Sequence, residues 1–388
     1  MRFPEFSAEW EKHSLGEIGE TIIGLTYKPS DVVENKGTIV FRSSNIQNGA
    51  IDYSDLVRVN KTIKTRMITK VNDILVCARN GSQRLIGKNA IIKQGDTNNT
   101  FGAFMMVYRS EDNQFIFPLL STKRYISQVG ENLGARINQI TTSDFNGFEF
   151  YFPTNHKERT KISELFRLLD ERIAAQNKII EKLQSLIKGI VDELMTVLLK
   201  GKLYPFSSFY IKAGEGGTPT TSVNEYYLGG TIPFIKIEDL SCKYLTSNKD
   251  FITELGMQKS SAWLIPSHSV IYSNGATIGA ISINEYPICT KQGILGIVPN
   301  TNINVEYLYL LMSSSYFSKE VNRIVTEGTM KTAYLKDINH IKCPLPSMAQ
   351  QQNITNLTSS IEKKLFVEQE LLKLLNIQKQ HLLRTMFI

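Results

Sequence analysis

One long amphipathic segment occurs twice in this chain. Ile162, Phe166, Leu169, Ile173, Gln176, Ile180, Leu183, Ile187, Ile190, Leu194 and Val197 follow one another at alternating steps of four and three. That spacing keeps a narrow apolar stripe facing a partner helix, while Glu164, Arg167, Asp170, Glu171, Arg172, Lys178, Glu181 and Lys182 fall off it. Adding 192 to every position but the last returns Ile354, Thr358, Ile361, Leu365, Glu368, Leu372, Leu375, Lys379, Leu382 and Met386. Both seams are polar at the same step, Gln176 and Glu368. A polar seam residue commonly sets register and partner at some cost in stability. Thr358 and Lys379 dilute the second copy. The spacing predicts two long helices packed on each other; the plainer alternative is one amphipathic helix docked on each domain.

The duplication extends beyond the helices. Val40-Phe41-Arg42-Ser43-Ser44-Asn45-Ile46 and Phe234-Ile235-Lys236-Ile237-Glu238-Asp239-Leu240 lie 194 residues apart, and Asn80-Gly81 matches Asn274-Gly275 at the same offset. Ile86-Gly87 matches Ile278-Gly279 after a shortening of two residues, Gly134 faces Gly328, and Asp144 to Pro153 aligns with Asp337 to Pro346. A period of half the chain means tandem duplication and not a solenoid. Thr38 to Phe41, Asp73 to Cys77, Ala90 to Lys93 and Phe104 to Arg109 read as strands between Gly, Asn and Asp turns. Phe117 to Val129, Tyr307 to Ser313 and Tyr316 to Ile324 read as helices. The expected fold is therefore α+β, with domains at 1–155 and 201–347 and long helices at 156–200 and 348–388, the helices pairing antiparallel. Asn80-Gly81 and Asn274-Gly275 have the composition of primed hairpin turns.

Lys plus Arg number 44 against 37 Asp plus Glu, a net charge of +7, which favours a polyanionic partner. Cys77, Cys242, Cys289 and Cys343 have neither zinc nor disulfide spacing. No secretory core or apolar run long enough for a membrane span occurs, so a cytoplasmic protein with no membrane contact is expected. Catalytic motifs are missing. Gly81 to Asn89 suggests a phosphate loop but has five residues between its glycines, and Asn89 stands where Ser or Thr would bind magnesium. His13, His156, His268, His340 and His381 are scattered. Glu362-x-Lys364 reads as a solvated charge pair and not half of a nuclease site.

Two dissimilar α+β units, each leading through a Pro and a polar stretch into an Ile-headed heptad helix, resemble the specificity subunit of type I restriction-modification systems. The residues that carry the likeness are Pro153 with Glu158-Arg159-Thr160-Lys161-Ile162, and Pro346 with Gln350-Gln351-Gln352-Asn353-Ile354. Phe234 to Leu240, Gly275-Ala276-Thr277-Ile278-Gly279 and Phe3-Pro4 with Trp10 add to it. Two departures stand out: no Trp matches Trp10 in the second unit, where Phe209 or Tyr210 is nearby, and residues are inserted after Gly81. The resemblance implies a non-catalytic chain that binds double-stranded DNA, with two target-recognition domains each reading one half of a split sequence. Two methyltransferase subunits and restriction subunits would be its partners. S-adenosylmethionine, ATP and magnesium would belong to them, with no cofactor on this chain. A helix of about 37 residues spans roughly 55 Å, the length of roughly 16 base pairs, so the paired helices would set the spacing. A coiled-coil interaction protein with a non-nucleic-acid partner is the competing reading.

Features shared by the halves suit fold, and features that differ suit two different half-sequences. Three sets of DNA-binding candidates follow. One is Arg42, Ser43 and Asn45 against Lys236, Glu238 and Asp239 at a strand end. The second, around the Asn-Gly pairs, is Arg79, Gln83, Arg84 and Lys88 against Ser273, Thr277 and Ala280. The third, after the matched glycines, is Arg136, Asn138 and Gln139 against Thr329, Lys331 and Thr332. Arg suits guanine, Gln or Asn suits adenine, and Lys suits phosphate.

Overall fold

The structure, a computed structural model, describes residues 2–135, 138–275, 277–325 and 331–387. It divides into two compact units, Met1–Asn177 with Glu370–Ile388, and Lys178–Gln369. Each unit takes part of both long helices, which run His156–Leu198 and Met348–Met386. Both helices start where a side chain can serve the first unpaired backbone N–H groups. Asn155 accepts from the Lys157 N–H at 2.9 Å. Ser347 Oγ accepts from the Gln350 N–H at 3.4 Å, and Gln350 Oε1 accepts from the Ser347 N–H at 3.0 Å, closing a capping box.

In the first unit an antiparallel sheet runs in the order Glu20–Ile23, Met105–Arg109, Ile74–Cys77, Asn89–Ile91. A second sheet sets Thr38–Phe41 between Thr100–Phe101, parallel to it, and Val57–Val59, antiparallel. A ribbon of Trp10–Ser14 against Glu149–Pro153 leads into the long helix. The second unit repeats this order. Tyr210–Glu215, Ile294–Pro299, Val270–Ser273 and Ile281–Asn284 form the main sheet, with Tyr244–Leu245 added in parallel at its edge. Ile232–Ile235 lies between the parallel Cys289–Thr290 and the antiparallel Asp250–Ile252. Leu203–Pro205 pairs with Lys342–Pro344. The duplicated α+β fold is thus written twice in strand order, direction and pairing.

These ladders also fix which residues correspond, and they correct two matches made from sequence. Cys77 pairs with Met105 as Ser273 pairs with Ile294. Cys77 N–H reaches the Lys88 carbonyl and Ser273 N–H the Ala280 carbonyl, at 2.9 and 2.8 Å. Cys77 therefore corresponds to Ser273, and Asn274 corresponds to Ala78, not to Asn80. The intervening loop is ten residues in the first unit (78–87) and six in the second (274–279), so Asn80-Gly81 belongs to extra loop length. In the ribbons, Lys12 faces Tyr151 and Leu203 faces Pro344, which sets Trp10 opposite Gly201 in the correspondence and leaves Phe209 and Tyr210 elsewhere.

The long helices take part in both cores. In the first unit Ile162, Phe166, Leu383 and Met386 are buried with Phe115, Phe145, Phe148, Phe150 and Phe152. The Phe166 ring stacks on Phe387 at 5.4 Å, and Asp170 accepts from Lys379 Nζ at 2.5 Å. As the first helix advances from 166 to 170, its neighbour recedes from 387 to 379, so the helices run antiparallel. That ion pair also accommodates a lysine on the seam. In the second unit Val191, Met195 and Ile354 join Phe206, Tyr272, Tyr307 and Phe317.

Along the first helix Ile162, Phe166, Leu169, Gln176 and Ile180 are buried and Ile173 and Leu183 half-buried. Near its end the buried stripe moves to Val191 and Met195, leaving Val197 63% exposed. An α-helix turns every 3.6 residues, so a stripe serving a globular core drifts from a strict 3.5-residue repeat. On the second helix Ile354, Thr358, Glu368 and Leu375 are buried, and Ile361, Leu365 and Leu372 half-buried. Thr358 donates its hydroxyl to the Thr355 carbonyl, and Lys364 pairs with Glu368. Glu362 is not solvated: Lys243 Nζ bonds it at 2.6 Å and Glu306 at 2.5 Å, tying this helix to the second domain.

Candidate nucleic-acid interface

The strand-end candidates do the same structural task in both units despite their different chemistry. Asn45 Oδ1 accepts from the Arg42 N–H at 2.8 Å, and Asp239 Oδ2 accepts from the Lys236 N–H at 2.9 Å. Each closes a tight turn after its strand. Asn45 is fully buried and gives its amide to the Asp52 and Asp55 carbonyls, so no edge of it remains for a base. Arg42 pairs with Asp55 at 2.7 Å and Lys236 with Asp250 at 2.9 Å. The Asp250 hydrogen bond holds the Lys236 ammonium above its usual range. The sequence contrast at these positions thus marks two solutions to one turn. Ser43 accepts from Asn80 Nδ2 at 3.0 Å, and Glu238 is exposed.

That Ser43–Asn80 bond brings the strand-end turn to the long loop after Cys77. Asn80-Gly81 is not a primed turn, since neither residue has left-handed backbone. Asn80 Oδ1 instead accepts from the Ser82 N–H at 2.9 Å, an Asx turn. The third candidate set arrives at the same place. Asn138, itself left-handed at φ 55°, takes the Asn80 N–H on its carbonyl at 3.4 Å and donates its side chain to the Gly81 carbonyl at 3.3 Å. Gln139 forms a β-bridge with Arg79. Segments around residues 43, 80 and 138 therefore make one braced surface. From it Arg79, Gln83 and Arg84 project as exposed side chains, the last two on a short 3₁₀ turn, Gln83–Leu85. Lys88 is half-buried beside it. Arg136 lies outside the described residues.

Phe104 also belongs to this surface, and nothing in the sequence singled it out. It is 59% exposed, and the Arg79 guanidinium carbon lies 5.3 Å from its ring centroid. In an apolar run from Phe101 to Val107 it reads as an ordinary strand residue.

The corresponding surface of the second unit is barer. Ser273 is fully buried and cannot meet a base. Asn274 is buried too, donating its amide to the Ala333 carbonyl at 3.1 Å and accepting the Ala333 N–H on its own carbonyl at 2.9 Å. That pairing brings Thr277 and Lys331, both exposed, onto one loop cluster. Gly275 packs on Gly293: a Cβ on the former would sit 3.3 Å from the latter's Cα. Thr329 and Gly328 lie outside the described residues.

The phosphate-loop look-alike has a structural cause of its own. Gly87 and Gly279, at φ 81° and 100°, are equivalent left-handed residues that return each loop to its strand. Among the described residues no group of three His, Cys, Asp or Glu could hold a metal, and no helix is long and apolar enough to cross a membrane.

The family model for the type I restriction modification DNA specificity domain matches residues 7–185 and 210–376. The chain is 30% identical over 147 residues to the type I restriction enzyme MjaIX specificity subunit of Methanocaldococcus jannaschii, covering 37% of this chain and 34% of that one, so it spans about a third of that relative's length. Likeness to the putative MjaX specificity subunit of the same organism runs over 384 residues at 26% identity, 92% of this chain and 88% of the relative. The crystal structure of a type I restriction-modification S subunit from M. genitalium has the same fold, with a TM-score of 0.60 at 18% identity over 100% of this chain and 99% of that one. With both matched segments falling on the two repeats of one fold, the chain belongs to the type I restriction modification DNA specificity domain family.

Proposed function

We propose that this chain is the DNA-reading specificity subunit of a type I restriction-modification complex. The observation that carries the reading is the loop cluster on each repeat: loops that leave equivalent strand ends, Cys77 and Ser273, differ in length and present different side chains. Two readers of one architecture and unlike surfaces suit a two-part, asymmetric DNA sequence. In the first domain, 1–155, Arg79, Gln83 and Arg84 are the base-reading candidates, with Lys88 for phosphate and Ser43, Asn138 and Gln139 at the rim. In the second, 201–347, Thr277, Lys331 and Glu238 remain. The helices at 156–200 and 348–388 join the domains, with Ile162 to Leu183 and Ile354 to Leu375 as their mutual seam.

The chain contributes recognition and no chemistry. Two methyltransferase subunits would dock on the duplicated helices, since an internal two-fold repeat offers two equivalent surfaces. They would bring S-adenosylmethionine, and restriction subunits would bring ATP and magnesium. The complex would act in the cytoplasm, where the chromosome is. Methylome sequencing of the host with and without this gene tests the reading. A two-part methylated sequence that disappears with the gene is expected; an unchanged set of methylated motifs would overturn it.

A further inference from the structure

Four other arginines of the first unit are neutralised by carboxylates. Arg2 is bound to Glu158, Arg42 to Asp55, Arg109 to Asp73 and Arg159 to Asp112. Arg79 forms no ion pair with a described residue and lies over the ring of Phe104; Arg124, likewise over a ring, that of Tyr151, is tied down by its bond to the Glu149 carbonyl at 2.7 Å. The backbone beneath Arg79 and Phe104 is tightly tied. Both the Ala78 and the Arg79 N–H groups donate to the Phe104 carbonyl at 3.0 Å, and Arg79 bridges to Gln139. A large aromatic ring left 59% exposed serves no core, and here its exposed surface lies beside a cation.

Strand register shows what the second domain does with the same two places. Because Cys77–Met105 corresponds to Ser273–Ile294, Arg79 corresponds to Gly275 and Phe104 to Gly293. The Asn274 N–H donates to the Gly293 carbonyl at 3.0 Å, as Ala78 does to Phe104. One domain thus carries an arginine over a phenylalanine ring where the other carries two glycines in contact. Fold does not require the pair, since the same sheet closes without it.

A guanidinium held over an aromatic ring by a cation–π contact leaves N–H donors free for a further partner, and fewer rotamers remain to it. Those donors match the O6 and N7 acceptors of guanine in the major groove. Resting on the DNA-reading function proposed above, we infer that Arg79 reads a guanine in the half-sequence recognised by the first domain. Phe104 is the positioning residue that holds its guanidinium for the contact. The second domain, with Gly275 and Gly293 there, has no such reader.

The test is selection of duplexes by the full chain from a randomised library, repeated with Arg79→Ala, Arg79→Lys, Phe104→Leu and Phe104→Tyr. Wild type should enrich a two-part motif with a guanine that Arg79→Ala relaxes roughly ten- to a hundred-fold, leaving the other half-sequence intact. Arg79→Lys keeps charge but not the planar fork, and should relax the same position. Phe104→Leu should relax that position alone, about two- to five-fold, while Phe104→Tyr restores it. A structural role for Phe104 would lower the melting temperature without relaxing one base, and that result overturns its positioning role. Equal weakening of all duplexes by Arg79→Ala would mean a phosphate contact and overturn the guanine assignment. If wild type enriches no two-part motif, the DNA-reading function itself fails, which is a different outcome from a motif that Arg79 does not influence.

Discussion

Removing one heptad from both long helices should shorten the unspecified spacer and leave both half-sequences alone. The deletions belong where neither helix is held in a domain core. On the first helix, Ile162 and Phe166 sit in one core and Val191 and Met195 in the other. On the second, Ile354 and the Glu362–Lys243 contact lie at one end and Leu383 and Met386 at the other. Residues 174–180 and 366–372 fall between, and their removal takes out the polar steps Gln176 and Glu368 together. Seven residues shorten an α-helix by about 10.5 Å. At about 3.4 Å per base pair that is about three base pairs. Three base pairs is also roughly 100° of DNA twist, whereas a heptad turns a helix by only about 20°. The shortened protein should therefore prefer a spacer about three base pairs shorter and bind it more weakly than wild type binds its own site. Library selection on the full chain reads both quantities. A motif with changed half-sequences and the original spacer would refute the ruler. Deleting 174–180 alone shortens one helix of the pair and not the other, so contacts at one end are lost, and a lower melting temperature and no sharp new spacer are expected.

Phe166→Ala, which removes a buried ring stacked on Phe387, should cost about 3–5 kcal/mol of unfolding free energy in urea. Asp73→Ala strands Arg109, which it holds in two bonds at 2.8 and 2.7 Å. Because Arg109 keeps 18% of its side chain in water, the loss should fall near the lower end of about 3–5 kcal/mol, measured in the same way. Burial pushes the Cys77 and Cys289 thiols up to about 11 and Cys343 higher still, while Cys242 is exposed. At pH 8 an aromatic disulfide reagent should therefore titrate Cys242 in the native chain and all four thiols after denaturation. Since the folded state holds those thiol protons more tightly than the unfolded chain, whose thiols titrate near 9.0, thiol-linked stability should be intact below pH 9 and fall as pH rises toward 11.

Sequence comparison of the halves misled most at the turns. Asn45 and Asp239 differ in charge, and each accepts one backbone N–H to close the same turn. A carboxylate and an amide oxygen are interchangeable in that role, so unlike residues concealed a like function. Asn80-Gly81 and Asn274-Gly275 are alike in letters and unlike in place, because a four-residue difference in loop length is invisible to a dipeptide match. Ser273 looked like a loop residue, yet it is the last residue of a fully buried strand.

What the sequence determined by itself was periodic or repeated. Two heptad stripes, 192 residues apart, specify two long helices, since apolar spacing of 3.5 leaves a helix no other way to bury its stripe. The order of strand-like runs and turns, met twice, specifies a duplicated α+β chain. The surface that would meet DNA was decided only by tertiary structure. Its parts, at residues 43, 79–84, 104 and 138–139, are joined by hydrogen bonds across 25 to 58 residues of chain, such as those from Asn80 to Ser43 and from Asn138 to Gly81. The Arg79–Phe104 pair exists because two adjacent strand ends place a guanidinium over a ring. Periodicity reports the face a residue shows within its own element, whereas such a pairing depends on which elements lie side by side.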